Sequence, residues 1–150
     1  MSMSENINIF WADLMVEELV RNGITFFIIS PGSRSTPLTV AAVRNPHCQT
    51  EISIDERGAA FYALGYVKAS GQPAVLICTS GTATANYFPA IIEAAMTDVP
   101  LIILTADRPP ELLETGANQT IRQDNLYGDY LRWHSTLPCP DDKIAPEYIL

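Results

Sequence analysis

Residues 74–90 read AVLICTSGTATANYFPA, and this stretch decides the fold class. Its first five residues are all apolar and include Val and Ile, which is typical of a strand buried on both faces. A short hydroxyl-rich segment with Gly81 follows, and the pattern of residues 84–96 predicts a helix. A buried strand that leads through a short turn into a helix is the repeating unit of a parallel sheet.

The same alternation of strand and helix continues along the chain. Three further apolar runs predict strands: ITFFII at 24–29, EISI at 51–54 and LIILT at 101–105. Three further stretches predict helices: 7–21 after Asn6 as cap, 37–45 with Thr36 as cap and Pro37 in the first turn, and 56–70 up to Gly71. The order predicts an α/β fold, a parallel sheet flanked by helices on both faces. We expect residues 1–150 to form a single domain of this class.

From residue 106 onward the pattern is looser, because prolines, glycines and amides predict a long loop region. Within it we expect a short helix over 109–114 and a strand near 131–137. The final residues, DDKIAPEYIL, are typical of a helix that begins here and continues beyond Leu150. We therefore expect the chain to be the N-terminal part of a longer protein.

The composition is typical of a globular protein with an acidic surface. The chain has 9 Lys and Arg against 17 Asp and Glu, and its net charge of −8 disfavours binding to nucleic acid or an anionic membrane. Its three cysteines form no CxxC pair and its two histidines are far apart, which disfavours a disulfide framework, a zinc site and a Ser-His-Asp triad. No apolar run approaches the length of a membrane span, and the opening MSMSENIN has no basic residue, so we expect a cytoplasmic protein.

Every unusual segment of the sequence directly follows a predicted strand. The four segments are SPGSRST at 30–36, DERG at 55–58, TSGT at 79–82 and ADRP at 106–109. The carboxyl ends of parallel strands meet at one edge of a sheet, and ligands of open α/β sheets bind there. We call these four loops together the rim, and we expect a ligand site on it.

The first two loops of the rim carry charged groups that suit a ligand. Residues 30–36 combine Gly32, several hydroxyls and Arg34 with the start of a helix, which predicts either an anion cradle or an ordinary capped turn. Glu56 places a carboxylate at the mouth of a strand, next to the small residues Gly58, Ala59 and Ala60. The alternative is that Glu56 only complements the helix dipole.

The other two loops leave similar alternatives open. The hydroxyls of residues 79–84 suit a polar ligand edge or a threonine-rich helix cap. Arg108 lies between Asp107 and two prolines, where it would hold a carboxylate or form a structural pair with Asp107. The sequence contains no GxGxxG, GxxxxGK[ST], GxSxG or HExxH motif, so it lacks the main signatures of dinucleotide, P-loop, hydrolase and zincin sites.

Four stretches of the sequence carry a resemblance to a known family: SPGSRSTPLT at 30–39, IDERGAAFYALG at 54–65, TSGTATANYFPA at 79–90 and LTADRPPELLETGANQTIRQ at 104–123. In this order they resemble the N-terminal, pyrimidine-binding domain of thiamine diphosphate enzymes. More narrowly, they resemble the MenD family of 2-succinyl-5-enolpyruvyl-6-hydroxy-3-cyclohexene-1-carboxylate synthases of menaquinone biosynthesis. DERG and TSGT match the broad superfamily, whereas PGSRSTPL, TADRPPEL and GANQ match the synthases.

The resemblance implies a cofactor and a catalytic residue. In the superfamily a poorly solvated glutamate, matched here by Glu56, hydrogen-bonds N1′ of the aminopyrimidine ring of thiamine diphosphate and promotes its imino tautomer. Thr82 would lie beside the same ring. The implied reaction decarboxylates 2-oxoglutarate and adds the succinyl carbanion to isochorismate. By the same motif match the substrate pocket would be lined by Ser33, Arg34, Arg108, Asn118 and Gln119.

The resemblance also implies parts that these 150 residues do not contain. The superfamily holds Mg²⁺ (or Mn²⁺) and the diphosphate with a second, C-terminal domain that carries a GDG motif, and this sequence has none. We therefore expect the domain alone to be inactive and the functional unit to be a homodimer or homotetramer, with the active site between subunits. Two alternatives remain at this point: a non-catalytic carboxylate-binding module of the same fold, and a structural domain whose rim is covered by a partner.

Overall fold

A computed structural model describes residues 6–149, and it shows a four-stranded, wholly parallel sheet with helices on both faces. The strands are β1 (Phe26–Ile29), β2 (Gln49–Ile52), β3 (Ala74–Cys78) and β4 (Leu101–Thr105), in the spatial order β2-β1-β3-β4. The helices are α1 (Ile7–Arg21), α2 (Thr36–Arg44), α3 (Glu56–Ser70), α4 (Thr82–Asn86) and α5 (Phe88–Met96). The α/β fold class predicted from the sequence is confirmed.

Two cores pack against the two faces of the sheet, because alternate residues of a strand point to opposite sides. Phe26 and Ile28 of β1 contribute to the core beneath α3 and α5. Phe27 and Ile29 contribute to the core beneath α1 and α2. The central strands β1 and β3 are therefore fully buried, and they hold the loops that follow them in fixed positions.

The second strand differs from its prediction. It covers residues 49–52 instead of 51–54, and three of its four residues are exposed, with Ile52 at 59%. The expectation of burial on both faces is wrong for β2, because β2 lies at the edge of the sheet and pairs only with β1. The first strand also begins later than predicted, at Phe26.

Helix boundaries follow the local chemistry of proline and serine. The predicted helix over 84–96 is two helices, which meet at Tyr87. Pro89 lies in the first turn of α5, where its missing N–H requires no partner, so the helix restarts there. The cap of α2 is Ser35 and not Thr36, whose hydroxyl donates instead to the Ser33 carbonyl at 2.9 Å.

The predictions for α1 and α3 hold closely. Asn6 caps α1 by accepting from the Asn8 amide at 2.9 Å, and α3 ends at Gly71, which has the left-handed φ of 71°. A short 3₁₀ helix at Pro110–Leu112 replaces the helix predicted over 109–114.

The expected strand near 131–137 is absent from the described chain. Six of those seven residues are exposed and no neighbouring strand pairs with them. Leu131 packs against the core beneath α3 and α5, whereas Trp133 and Leu137 are exposed. The described chain closes with a 3₁₀ helix at Pro146–Ile149, and Leu150 lies outside the described residues. No helix within residues 6–149 is long and apolar enough to cross a membrane.

Candidate functional site

The four loops of the rim lie at the carboxyl ends of the parallel strands, and two of them touch closely. A Cβ added at Gly32 would lie 2.3 Å from the Thr79 Cβ, so only glycine allows the loops after β1 and β3 to meet. Beside them, Ser30 and Ser80 are buried, and the backbone N–H of Ser30 donates to the Ile77 carbonyl at 2.8 Å. The floor of the rim is therefore rigid.

Glu56 is the first residue of α3, and the residue before it fixes the start of that helix. Asp55 accepts a hydrogen bond from the Arg57 amide at 3.0 Å and forms an ion pair with the Arg57 guanidinium at 2.6 Å. These bonds from the Arg57 side chain and backbone lower the pKa of Asp55 to about 2. Asp55 and Arg57 thus bind each other and hold the first turn of α3 in place.

The Glu56 carboxylate has one hydrogen-bond partner among residues 6–149. The Asn86 side-chain amide donates to Oε2 at 3.1 Å, and Oε1 has no protein donor within that range. The buried Cys78 is the last residue of β3, and its Sγ is 3.7 Å from Thr84 Oγ1. Burial raises the pKa of the Cys78 thiol to about 11, and the negative charge of Glu56 adds to that shift.

The expectation that Glu56 is poorly solvated is not met by these residues alone. Glu56 is half-buried, because the first turn of α3 faces the open end of the sheet. Residues 6–149 therefore leave the Glu56 carboxylate partly open to solvent.

Arg108 is half-buried, and its side chain is oriented by the loop that follows it. Its Nη2 donates to the Asn118 carbonyl at 2.7 Å, whereas Nε is buried without a partner. The expected alternative of a guanidinium pair with Asp107 is wrong, because the Asp107 carboxylate accepts from the Arg108 backbone N–H at 2.6 Å instead. The guanidinium is therefore available to an anion.

A segment after Arg108 returns to the rim and binds the loop after β3. Ser80 Oγ donates to the Gln119 carbonyl at 2.8 Å. Gln119 has a positive φ of 54°, and a Cβ added at Gly81 would lie 2.9 Å from its carbonyl atoms. This contact brings Asn118 and Gln119 to the same edge of the sheet as Thr82.

Gln123 completes this contact and was not predicted as a site residue. Its Oε1 accepts from the Gly81 amide at 2.7 Å, and its Nε2 donates to the Ala106 carbonyl at 3.0 Å. Asn86, the partner of Glu56, was also missed. Amide side chains are uncharged and do not form a periodic pattern along the chain. The sequence therefore gives no signal for the roles of Gln123 and Asn86, apart from the motifs in which these residues lie.

The remaining predicted residues are exposed on the rim. Ser33, Arg34 and Thr82 have exposed side chains, and no hydrogen bond joins them to Glu56 or Arg108 within residues 6–149. The Arg34 guanidinium also has no ion pair in that range. Two connections are thus present: Arg108 binds Asn118, and Gln119 binds the TSGT loop. The side chains of Ser33 and Arg34 are exposed and can contact a ligand.

The side chains present suit an aminopyrimidine ring better than a metal ion. Glu56 offers a carboxylate oxygen that no protein donor occupies, which matches a ring nitrogen able to carry a proton. Gly58 nearby leaves space, since a Cβ there would meet nothing closer than Ser53 Oγ at 3.8 Å. Among residues 6–149, no three His, Cys, Asp or Glu side chains are grouped to hold a metal.

Comparison with known proteins decides the family. Residues 11–126 match the model of the thiamine pyrophosphate enzyme, N-terminal TPP binding domain. The chain belongs to this family. The matched residues include the DERG and TSGT segments on which the resemblance to thiamine diphosphate enzymes was based. The resemblance to this family is therefore confirmed.

Several curated proteins are similar to this TPP binding domain over nearly its whole length. Three of them are named 2-succinyl-5-enolpyruvyl-6-hydroxy-3-cyclohexene-1-carboxylate synthase. The protein from Pelodictyon phaeoclathratiforme is 59% identical over 98% of this chain, and that from Prosthecochloris aestuarii is 62% identical over 97%. The protein from Salinibacter ruber is 54% identical over 97%. The chain spans about a quarter of the length of these relatives, at 25%, 25% and 24%.

Proposed function

We propose that this chain is the pyrimidine-binding domain of a thiamine diphosphate-dependent synthase, which decarboxylates 2-oxoglutarate and adds the succinyl group to isochorismate. The product is 2-succinyl-5-enolpyruvyl-6-hydroxy-3-cyclohexene-1-carboxylate. The observation that carries the proposal is the identity of 54–62% to synthases of that name over 97–98% of this chain. The rim supports it, because it presents a carboxylate and two arginines at one edge of the sheet, and the segment that returns to it adds Asn118 and Gln119.

Glu56 binds the cofactor ring in this proposal. When bound, thiamine diphosphate supplies the electron sink that allows a 2-oxo acid to lose carbon dioxide. The unoccupied oxygen of Glu56 holds a proton at the ring nitrogen N1′, while the other oxygen stays bonded to Asn86. Thr82 would lie beside the bound ring, and its side chain is exposed.

The arginines of the rim, with the amides of the segment that returns to it, bind the substrates. Both 2-oxoglutarate and isochorismate carry carboxylates, and guanidinium groups bind carboxylates through paired, charge-assisted hydrogen bonds. Arg34 has no ion pair within residues 6–149, and Arg108 has a buried Nε without a partner, so both have donors to offer. Ser33, Asn118 and Gln119 add neutral donors and acceptors around them.

The rest of the active site lies outside these residues. We place Mg²⁺ or Mn²⁺ and the diphosphate on a C-terminal domain of a longer chain, and that domain on a partner subunit of a homodimer or homotetramer in the cytoplasm. Two findings support this arrangement. First, the chain spans 25% of the length of the relatives from Pelodictyon phaeoclathratiforme and Prosthecochloris aestuarii. Second, Glu56 is only half-buried, so a second surface is needed to exclude water from its carboxylate in the proposed role.

The test is carbon dioxide release from 2-oxoglutarate by the full-length gene product with thiamine diphosphate and Mg²⁺, with and without isochorismate. We expect release that depends on isochorismate, and a loss of about 10²–10⁴-fold in the Glu56→Gln variant, because the amide cannot hold the proton. No release from the folded protein under either condition would overturn the proposal. Binding of carboxylates without turnover would then identify a non-catalytic binding module.

A further inference from the structure

The hydrogen bond between Glu56 and Asn86 joins two separate helices of the rim. Asn86 is the last residue of α4, and its Nδ2 donates to Glu56 Oε2 at 3.1 Å across a separation of 30 residues. Both side chains are half-buried, so the bond is partly protected from water. It is the single protein hydrogen bond to the Glu56 carboxylate within residues 6–149.

The backbone around Asn86 is held on both sides. Thr84 Oγ1 donates to the Thr79 carbonyl at 3.3 Å, and the Tyr127 hydroxyl donates to the Thr84 carbonyl at 2.8 Å. The next residue, Tyr87, is fully buried at 0% exposure. Asn86 therefore has a fixed position. Its amide determines the position of the Glu56 carboxylate, and the carboxylate does not determine the position of the amide.

We propose that Asn86 is a positioning residue for Glu56. Its amide occupies Oε2 and leaves Oε1 to face the cofactor ring nitrogen, and an amide neither gives up nor takes a proton near neutral pH. This inference rests on the proposed function, because it assigns Asn86 a role toward the group that Glu56 binds.

A purely structural clamp between α3 and α4 would have different consequences. Removing such a clamp would lower the stability of the protein without a specific effect on the bound cofactor. The distinguishing readout is the exchange of the C2 proton of bound thiamine diphosphate with deuterium, measured without substrates. This rate reports on cofactor activation and does not require turnover.

The chain offers a matched control. Asn45 Nδ2 donates to Glu17 Oε2, also at 3.1 Å, at the end of α2 and away from the loops of the rim. The Asn45 Oδ1 atom accepts from the His47 amide, and aspartate retains that acceptor. Asn86→Asp and Asn45→Asp therefore make the same chemical change to the same kind of bond at two places.

The experiment compares both variants in the full-length protein loaded with thiamine diphosphate and Mg²⁺. We expect Asn86→Asp to slow C2 proton exchange by about 10–100-fold, the effect of losing one hydrogen bond to a charged group. We expect Asn45→Asp to leave the exchange rate within about twofold, because its carboxylate partner does not face the cofactor. The midpoint of urea unfolding, measured on the same samples, separates loss of stability from loss of positioning.

Exchange rates within twofold of the unsubstituted protein in Asn86→Asp would overturn the inference, even if its unfolding midpoint falls. If Asn86→Asp does not fold, Asn86→Ala gives the same comparison, since it removes the donor without adding a charge. An unsubstituted protein that binds no thiamine diphosphate would overturn the proposed function itself. An active unsubstituted protein with unaffected Asn86 variants would overturn only the role of Asn86.

Discussion

Two glycines at the rim permit contacts that no other residue allows. Gly32 touches Thr79 so closely that an added Cβ would lie 2.3 Å from the Thr79 Cβ. Gly81 has a φ of 83° and lies against the Gln119 carbonyl. Both glycines appear in the quoted motifs, but the sequence does not reveal which residue each one touches, because the contacts come from distant parts of the chain.

The substitution Gly32→Ala tests the first of these contacts. Thr79 is buried and its Cβ cannot rotate away, so we expect the free energy of unfolding to fall by about 1–3 kcal/mol, as in other overpacked sites. Gly65→Ala is the control, because Gly65 lies inside α3 with open space around it. We expect that change to raise the free energy of unfolding by about 0.5–1 kcal/mol. Urea unfolding measures both, and equal effects of the two substitutions would contradict the described contact.

The three cysteines differ in burial, and we expect their reactivity to differ in the same order. Cys139 is exposed, Cys48 is intermediate and Cys78 is buried. Burial raises the pKa of Cys78 to about 11 from 9.0, so the native protein holds almost no thiolate there at pH 8. Alkylation followed by mass spectrometry should label Cys139 first and Cys78 only after unfolding. Labelling of native Cys78 as fast as Cys139 would contradict the burial of Cys78 at the end of β3.

The raised pKa of Cys78 also predicts a change of stability with pH. The folded state disfavours the thiolate, so this contribution to stability is fully present below pH 9.0, the unfolded value. It is lost as the pH rises from there through about 11. A Cys78→Ala variant should lose less stability than the unsubstituted protein over this range, as measured by urea unfolding at each pH.

Among the elements, uninterrupted apolar runs were predicted most closely. The strands at 74–78 and 101–105 have the predicted bounds, because burial in a sheet demands consecutive apolar residues. The bounds of β2 were predicted two residues too late, because the apolar residues Ile52 and Ile54 indicated burial. Both lie at the exposed edge of the sheet, and Ile54 is 87% exposed. The break at Tyr87 depends on Pro89, which is favourable in the first turn of a helix and unfavourable in its interior. The apolar spacing continues across the break, so it did not reveal the boundary between α4 and α5.

The sequence predicted a loop after β4 but not the path of residues 106–123, because side-chain hydrogen bonds hold these residues and not a periodic apolar face. Gln123 is the clearest case, since its one amide group binds both the Gly81 N–H and the Ala106 carbonyl. Such a connection has no pattern in the sequence. It nevertheless determines where Asn118 and Gln119 lie relative to the TSGT loop.

The substitution Gln123→Ala should release this segment without unfolding the sheet. Gly81 is buried, and loss of its acceptor leaves an unsatisfied amide at a cost of about 1–3 kcal/mol. We expect faster hydrogen exchange in peptides that cover residues 79–86 and 116–123, with β1 and β3 unchanged. Gln72→Ala is the control, because Gln72 is exposed in a turn. Equal exchange in both variants would contradict the role of Gln123.

In the whole molecule, the order of strands and helices was enough to place four loops on one edge of the sheet. Glu56 and Arg108 were therefore found at the rim from sequence alone. The solvation of Glu56 was not predicted correctly, because it depends on a surface that residues 6–149 do not provide. In the proposed function, a partner subunit supplies this missing burial.

In the proposed function, Glu56 binds the aminopyrimidine ring of thiamine diphosphate. The most direct measurement is the structure of the full-length protein with that cofactor bound. We predict one Glu56 carboxylate oxygen at about 2.7–3.2 Å from ring nitrogen N1′, with the other oxygen still accepting from Asn86. A ring bound elsewhere, or a Glu56 carboxylate that faces water with the cofactor in place, would contradict the account.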